Sequence, residues 1–149
     1  FFLFVLDIFE SDNDIGMIGM VGAGKMAVDG VMWHDWRRGD LYEGNIEDRY
    51  DEMTYETYQY QVADGLWDVQ VVDGLMLITS KDILWREDIF DGWDYYDVSQ
   101  SLEMIRAGYK VVVPEQLLPW CLHDDGMLNL KNHDKYRRKC LQEYSDLLK

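Results

Sequence analysis

The spacing of apolar residues predicts helices at both ends of the chain and one between them. Residues 1–9 are almost all apolar, which predicts the end of a helix. Val98, Leu102 and Ile105 recur at i, i+4 and i+7 and so lie on one face of a predicted helix over residues 98–107. A last helix is predicted from about residue 132, because apolar residues again repeat at helical spacing along it.

Short apolar runs between these helices predict strands. Residues 15–21 and 109–113 each form such a run, and Pro114 ends the second one. Residues 69–80 predict a third strand, which Asp73 and Gly74 interrupt. Strands that alternate with helices indicate an α/β fold.

Residues 22–68 show neither helical nor strand periodicity and are rich in Gly, Asp, Tyr and Trp. Structureless loops of this length are uncommon in compact domains, so we expect a long ordered excursion or lid. Within it, residues 33–38 (Trp-His-Asp-Trp-Arg-Arg) either bind an acceptor or close a core beneath the loop.

The composition narrows the choice of partners. With 149 residues, 48% of them hydrophobic, the chain can form one domain or part of a larger one. Its net charge of −15 repels phosphate backbones and disfavours nucleic acid as a partner. No apolar run is long enough to predict a membrane span. The two cysteines, Cys121 and Cys140, make no metal motif and suit a reducing compartment.

A glycine-rich turn gives a weak nucleotide-binding signal. Residues 22–27 (Gly-Ala-Gly-Lys-Met-Ala) match the dinucleotide pattern, which requires a helix to begin at the turn. The same stretch resembles a phosphate-binding P-loop, but Met26 stands where that loop needs a hydroxyl. An oxidoreductase that uses Gly22–Ala27 is therefore only a minor alternative.

Asp97 is the main candidate for chemistry, and it allows two interpretations. With Gln100 three residues later it has the spelling of a helix-capping box, and spacing alone favours this structural role. A carboxylate at the junction of a strand and a helix is also held rigidly enough to accept a proton from a hydroxyl.

Several motifs together resemble the acceptor side of GT-A-fold glycosyltransferases of the family-2-like group. These motifs are Phe90-Asp91, Asp97, Arg106-Ala107-Gly108-Tyr109-Lys110-Val111, Asp14-Ile15-Gly16-Met17-Ile18-Gly19, Val72-Asp73-Gly74-Leu75-Met76 and Pro119-Trp120-Cys121-Leu122-His123-Asp124. The resemblance runs from about residue 7 to the C-terminus. It implies a mixed sheet flanked by helices.

The resemblance also implies roles for individual residues. Asp97 would be the catalytic base of an inverting transfer from a nucleotide-diphospho-sugar, and His123 would help to bind Mn²⁺ or Mg²⁺. Asp73 and Gly74 would line the floor where donor and acceptor meet, although a strand bulge explains them equally. Trp93, Asp94 and Trp120 are candidate acceptor contacts.

Two departures from the family pattern affect these expectations. Tyr96 stands where the family often has Glu, so the base is either Asp97 or Asp94. In addition, no Asp-x-Asp motif lies at a predicted strand end, and the first nucleotide-binding βα units of the family are not found. We therefore expect residues 1–149 to be the acceptor-side part of such an enzyme. Alone, this part would be weakly active or inactive.

The remaining expectations concern partners and location. The acceptor would be a glycan, a lipid-linked sugar or a small hydroxyl compound, and the resemblance is compatible with a homo-oligomer. The resemblance to family-2-like glycosyltransferases implies a bacterial-type enzyme in the cytoplasm, with or without peripheral contact to the membrane. A non-catalytic sugar-binding or interaction module of the same fold is the main alternative to an enzyme.

Overall fold

A computed structural model describes residues 1–34, 37–44, 54–57, 65–116, 120–124 and 129–148. For residues 37–44 and 54–57, and for Leu122 and Asp124, it describes the backbone only. The elements are α1 (Phe2–Ser11), β1 (Ile15–Gly19), β2 (Val21–Ala23), a 3₁₀ turn (Met32–His34), β3 (Arg37–Gly44), β4 (Thr54–Thr57), β5 (Leu66–Val69), β6 (Val71–Val72), β7 (Leu77–Thr79), α2 (Tyr96–Arg106), β8 (Lys110–Pro114), β9 (Leu122–Asp124) and α3 (His133–Glu143).

The central sheet has the order β5-β8-β1-β7 and mixes both strand directions. β1 runs parallel to β8 and antiparallel to β7, while β5 runs antiparallel to β8. Every residue of β1 is buried, as expected for a strand covered on both faces. Gly16 is required there, because a Cβ at this position would lie 2.7 Å from the Cβ of Tyr109.

A second sheet has the order β4-β3-β2-β6, and β9 pairs with β3 in parallel. Both β3 and β4 fall inside residues 22–68, where we expected a long ordered excursion or lid but predicted no strand. β3 is defined by backbone pairing with β2, β4 and β9. Backbone pairing does not require alternating apolar side chains, so the pattern of hydrophobic residues does not reveal these strands.

The helices pack where their apolar faces predict. In α2, Val98, Leu102 and Met104 are buried, and α3 buries Tyr136 and Cys140. The expected mixed sheet flanked by helices is confirmed. Within the described part of the chain, no helix combines the length and the apolar character that a membrane crossing needs. Cys121 and Cys140 are both free thiols.

Candidate active site

A cavity of about 650 Å³ lies where the turn after β6 meets the beginning of α2. The chain before α3 and the 3₁₀ turn close its other sides. Its lining combines carboxylates, imidazoles and aromatic rings, the mixture that binding sites for polar ligands use. The main lining residues are Met32, Trp33, Asp73, Gly74, Leu75, Trp93, Asp94, Tyr95, Tyr96, Asp97, His123, Asn129 and His133.

Asp97 is held at this cavity by two backbone amides. The amide of Val98 donates to its Oδ1 at 2.7 Å, and the amide of Gly74 donates to its Oδ2 at 2.8 Å. The side chain is half-buried and borders the cavity. It is therefore fixed in direction by groups on two different elements, the turn after β6 and the first turn of α2.

The expected capping box is wrong. The helix begins at Tyr96, one residue before Asp97, and Tyr95 occupies the N-cap position with φ of 65° and no side-chain cap. Gln100 does not reach back to the helix start, because its Nε2 donates to the carbonyl oxygen of Ile83 at 2.8 Å. Asp97 thus lies inside the first turn of α2, where its carboxylate accepts a hydrogen bond from the Gly74 amide.

The surroundings of Asp97 favour its protonated form. Burial is the main cause and the nearby charge of Asp73 the second, and together they raise the pKa of Asp97 to about 7. The amides of Val98 and Gly74 act in the opposite direction but are outweighed. A carboxylate that titrates near neutral pH suits proton transfer under physiological conditions.

Asp73 forms the second carboxylate of the site. Its Oδ1 accepts a hydrogen bond from the amide of Leu75 at 2.8 Å, which shapes the turn after β6. Burial raises its pKa, while the Leu75 amide and the neighbouring His123 lower it. Two carboxylates that share one cavity disfavour each other's ionisation, so Asp73 and Asp97 titrate as a coupled pair.

Tyr96 and Gly74 close the floor between these carboxylates. The hydroxyl of Tyr96 donates to the carbonyl oxygen of Gly74 at 3.1 Å, and burial raises the pKa of Tyr96 to about 12. A Cβ at Gly74 would collide with the Tyr96 hydroxyl. Glycine at position 74 therefore permits the turn, the tyrosine and Asp97 to come together.

Tyr95 has a strained backbone at the cavity wall. Among the described residues, it is the one that adopts a positive φ without being glycine. This conformation costs about 1–3 kcal/mol and persists only where surrounding contacts enforce it. The buried hydroxyl donates to the carbonyl oxygen of Gly30 at 2.6 Å, and the ring lies 5.1 Å from that of His133. These contacts join the loop before α2 to the start of α3.

The structure brings together most of the residues predicted from sequence. Asp97, His123, Asp73, Gly74, Trp93 and Asp94 all line the cavity. Trp120 is the exception: its ring packs 5.1 Å from Phe1 and 6.2 Å from Phe4 and is absent from the lining. Trp120 therefore packs beside α1, outside this cavity, and its role as an acceptor contact stays a prediction.

The predicted site residues did not include Tyr96, Asn129 and His133, which also line the cavity. Tyr96 was noted only as a departure from the family pattern, and Asn129 and His133 carry no motif. Only their position in the fold brings them to the site. Trp33, from the segment predicted either to bind an acceptor or to close a core, lines the cavity and also packs against buried core residues, while His34 pairs with Asp29 at 2.6 Å. Residues 35 and 36 of that loop lie outside the described residues.

The described residues do not form a complete metal site. His123 and Asp73 have the donor chemistry that Mn²⁺ accepts. However, no group of three or more His, Cys, Asp or Glu side chains within the described ranges is placed to hold an ion. His123 as a metal ligand stays a prediction.

The glycine-rich turn does not form a nucleotide cradle. Gly22 lies within β2 and pairs with β3 and β6, and no helix begins over residues 24–31, all of which the structure describes. The amide of Met26 is occupied by the Oε1 of Gln70 at 2.6 Å, and the Met26 side chain is buried. A pyrophosphate would therefore lack the helix N-terminus it needs, which removes the basis for the oxidoreductase alternative.

The mixed sheet flanked by helices, with a carboxylate-lined cavity beside the start of a helix, agrees with the arrangement expected of a GT-A-like glycosyltransferase domain. Comparison with family profiles agrees: the profile of the Glycosyltransferase like family matches residues 1–144. The chain therefore belongs to this family-2-like glycosyltransferase family, and the resemblance read from its sequence is confirmed. No curated protein and no solved structure matches the chain.

Proposed function

We propose that this domain transfers a sugar from a nucleotide-diphospho-sugar to a hydroxyl acceptor with inversion, and that Asp97 is the base. Membership of a glycosyltransferase family supports the reaction class. The observation that supports Asp97 most directly is its position: a half-buried carboxylate fixed at a cavity, with a pKa near 7. This combination is what general-base catalysis at neutral pH requires.

The proposed step is a single displacement. The acceptor oxygen attacks the anomeric carbon as its proton passes to Asp97, and the bond from that carbon to the diphosphate oxygen breaks. The nucleoside diphosphate leaves with the electron pair. Asp73 acts indirectly, because its charge raises the proton affinity of Asp97 and so favours proton uptake.

Tyr96 and the backbone of the turn after β6 position this base. The Gly74 amide fixes one oxygen of Asp97, and the Tyr96 hydroxyl fixes the Gly74 carbonyl. Rigid placement of a base against the reacting hydroxyl lowers the entropic part of the barrier. Trp93, which is 84% exposed at the rim, offers an aromatic face to the acceptor.

The base is tested by comparing Asp97→Asn with Asp94→Asn. Asp94 also lines the cavity and is the other carboxylate that sequence reasoning allowed. The assay measures release of nucleoside diphosphate from a panel of UDP-, GDP-, ADP- and dTDP-sugars. We expect Asp97→Asn to lower kcat about 100-fold or more, which is the size of a general-base contribution.

Asp94→Asn should retain kcat and raise the KM for the acceptor. The reverse pattern, with kcat lost in Asp94→Asn and kept in Asp97→Asn, would move the base to Asp94. The family resemblance implies Mn²⁺ or Mg²⁺, so the same assay with EDTA and with added Mn²⁺ tests the proposed metal dependence. Activity that survives EDTA unchanged would contradict it.

A non-catalytic sugar-binding module is the second candidate. The observation that favours it is the lack of a complete metal-binding group within the described ranges of the chain. Such a module would bind sugars with unchanged affinity in Asp97→Asn and release no nucleoside diphosphate from any donor in the panel. The enzyme proposal requires release by the wild-type chain or by a longer protein that contains it.

A further inference from the structure

Three cavities follow one another beside the beginning of α2. The first is the active-site cavity, and a second of about 430 Å³ shares Tyr96 with it. A third of about 290 Å³ shares Trp85 with the second. Each neighbouring pair therefore has an aromatic side chain as a common wall, and the series begins at the cavity that Asp97 lines.

Aromatic rings form a row along this series. The ring centroids of Trp93 and Tyr96 are 5.6 Å apart, and those of Tyr96 and Trp85 are 6.1 Å apart. Trp93 is 84% exposed and Trp85 is 45% exposed, which is unusual for side chains of this size. Exposed rings beside polar cavities suit ligands that have both apolar C–H faces and hydroxyl groups.

Gln100 supplies an unused acceptor beside the third cavity. Its Nε2 donates to the carbonyl of Ile83 at 2.8 Å, and because a carbonyl only accepts, this contact fixes the orientation of the amide. Its Oε1 is buried and accepts no hydrogen bond from any described residue. A buried acceptor without a donor is rare, and this one belongs to a residue that lines the third cavity.

The charges around the second cavity disfavour an anionic ligand. Arg86 is engaged by Asp88 and by Glu143, both at 2.8 Å. Glu87 and Asp91 border the same cavity with negative charge, and the whole chain carries a net charge of −15. A neutral, hydroxyl-rich ligand avoids repulsion that an acidic one would meet.

We propose that the three cavities form one groove for a neutral oligosaccharide acceptor of three or more sugar rings. The ring that receives the new sugar lies beside Asp97, the next packs against the edges of Tyr96 and Trp85, and a further ring lies on the far side of Trp85, in the cavity that Gln100 lines. This inference rests on the proposed function, because it names the acceptor class for the same site.

The test measures binding to neutral oligosaccharide series from single sugars to tetrasaccharides. The probes are β-1,4-linked glucose, β-1,4-linked N-acetylglucosamine and α-1,4-linked glucose oligomers, with uronic-acid oligomers as the anionic comparison. In at least one neutral series, we expect affinity to rise about tenfold from one ring to three, equal to about 1.4 kcal/mol.

Trp85→Ala should abolish this gain with chain length and leave single-sugar binding unchanged, and Trp85→Phe should restore part of it. Leu84→Ala is the matched control, since Leu84 is 84% exposed, adjacent in sequence, and lines none of the three cavities. Thermal unfolding of each variant verifies that it is folded.

Affinity that is independent of ring number in every neutral series, or a preference for the anionic oligomers, would overturn the groove. A Trp85→Ala variant whose affinity rises with ring number as much as that of the wild type would also overturn it. These outcomes are separable from failure of the proposed function, because binding does not require the base. If Asp97→Asn loses transfer while the wild type shows no rise in affinity with the number of sugar rings, the enzyme proposal stands and the groove proposal is rejected.

Discussion

Replacing Asp97 by Asn should change how the stability of the protein depends on pH. The folded environment raises the pKa of Asp97 from 3.8 to about 7, mainly through burial and secondly through the charge of Asp73. Asn has nearly the shape of a protonated carboxyl group and never ionises. The difference between wild type and variant therefore isolates the free energy of ionising Asp97 in the fold.

The sign follows from proton binding. Because the folded-state pKa lies above the unfolded one, the unfolded chain loses the proton first as pH rises. Stability contributed by the protonated group is fully present below about pH 4, falls between about pH 4 and pH 7, and is constant above that range. The steepest expected slope is about 1.4 kcal/mol per pH unit.

The magnitude is bounded by the size of the shift. A rise of about three units corresponds to about 4 kcal/mol as an upper limit. Asp97 is only half-buried and is coupled to Asp73, so water at the cavity and sharing of the proton reduce this value. We expect a change of about 2 kcal/mol in the stability difference between low and high pH. It adds to a pH-independent loss of about 1–3 kcal/mol, because the Asn amide nitrogen cannot accept the hydrogen bond from one of the two backbone amides that hold Asp97.

The assay is urea unfolding followed by tryptophan fluorescence at several pH values from about 4 to 8. Asp91→Asn is the control, since Asp91 is exposed and its hydrogen bond from Tyr136 lowers its pKa. Its stability difference from wild type should be constant above about pH 5. An Asp97→Asn difference that also stays constant, or that shifts in favour of wild type as pH rises, would refute the raised pKa.

Two further substitutions test contacts around the site. Arg86→Ala should destabilise the protein by about 1–2 kcal/mol, because Arg86 is half-buried and pairs with Glu143. The control Arg138→Ala removes an exposed arginine and should cost less than about 0.5 kcal/mol. Equal losses of stability for the two variants in urea unfolding would contradict this. Gly74→Ala should displace the Tyr96 hydroxyl and lower kcat in the transfer assay, and wild-type kcat would show that this turn does not position the base.

The helices and the central strands were predictable because burial imposes periodicity on them. Val98 and Leu102 lie on the buried face of α2 as the spacing predicted, and the apolar run beginning at Ile15 is buried throughout. The β3 and β4 strands were not predictable, since backbone pairing with neighbours defines them and their sequences are largely polar.

The candidate site was predictable only in part. Asp73, Asp97 and His123 come from separate segments, and the family resemblance, rather than any local pattern, linked them. Tyr96 and His133 reach the cavity through the fold alone. The prediction of a capping box failed because residue spacing within the helix cannot show a hydrogen bond from a distant turn, here from the Gly74 amide to one oxygen of Asp97.

The dependence of the transfer rate on pH tests the central proposal most directly. If Asp97 is the base, it must be ionised to accept the proton, so kcat/KM should rise with pH and reach half its maximum near pH 7. Asp97→Asn should remove this rise together with most of the rate. A wild-type rate that does not change between about pH 5 and pH 8, or an Asp97→Asn variant with the same profile and rate, would contradict the account.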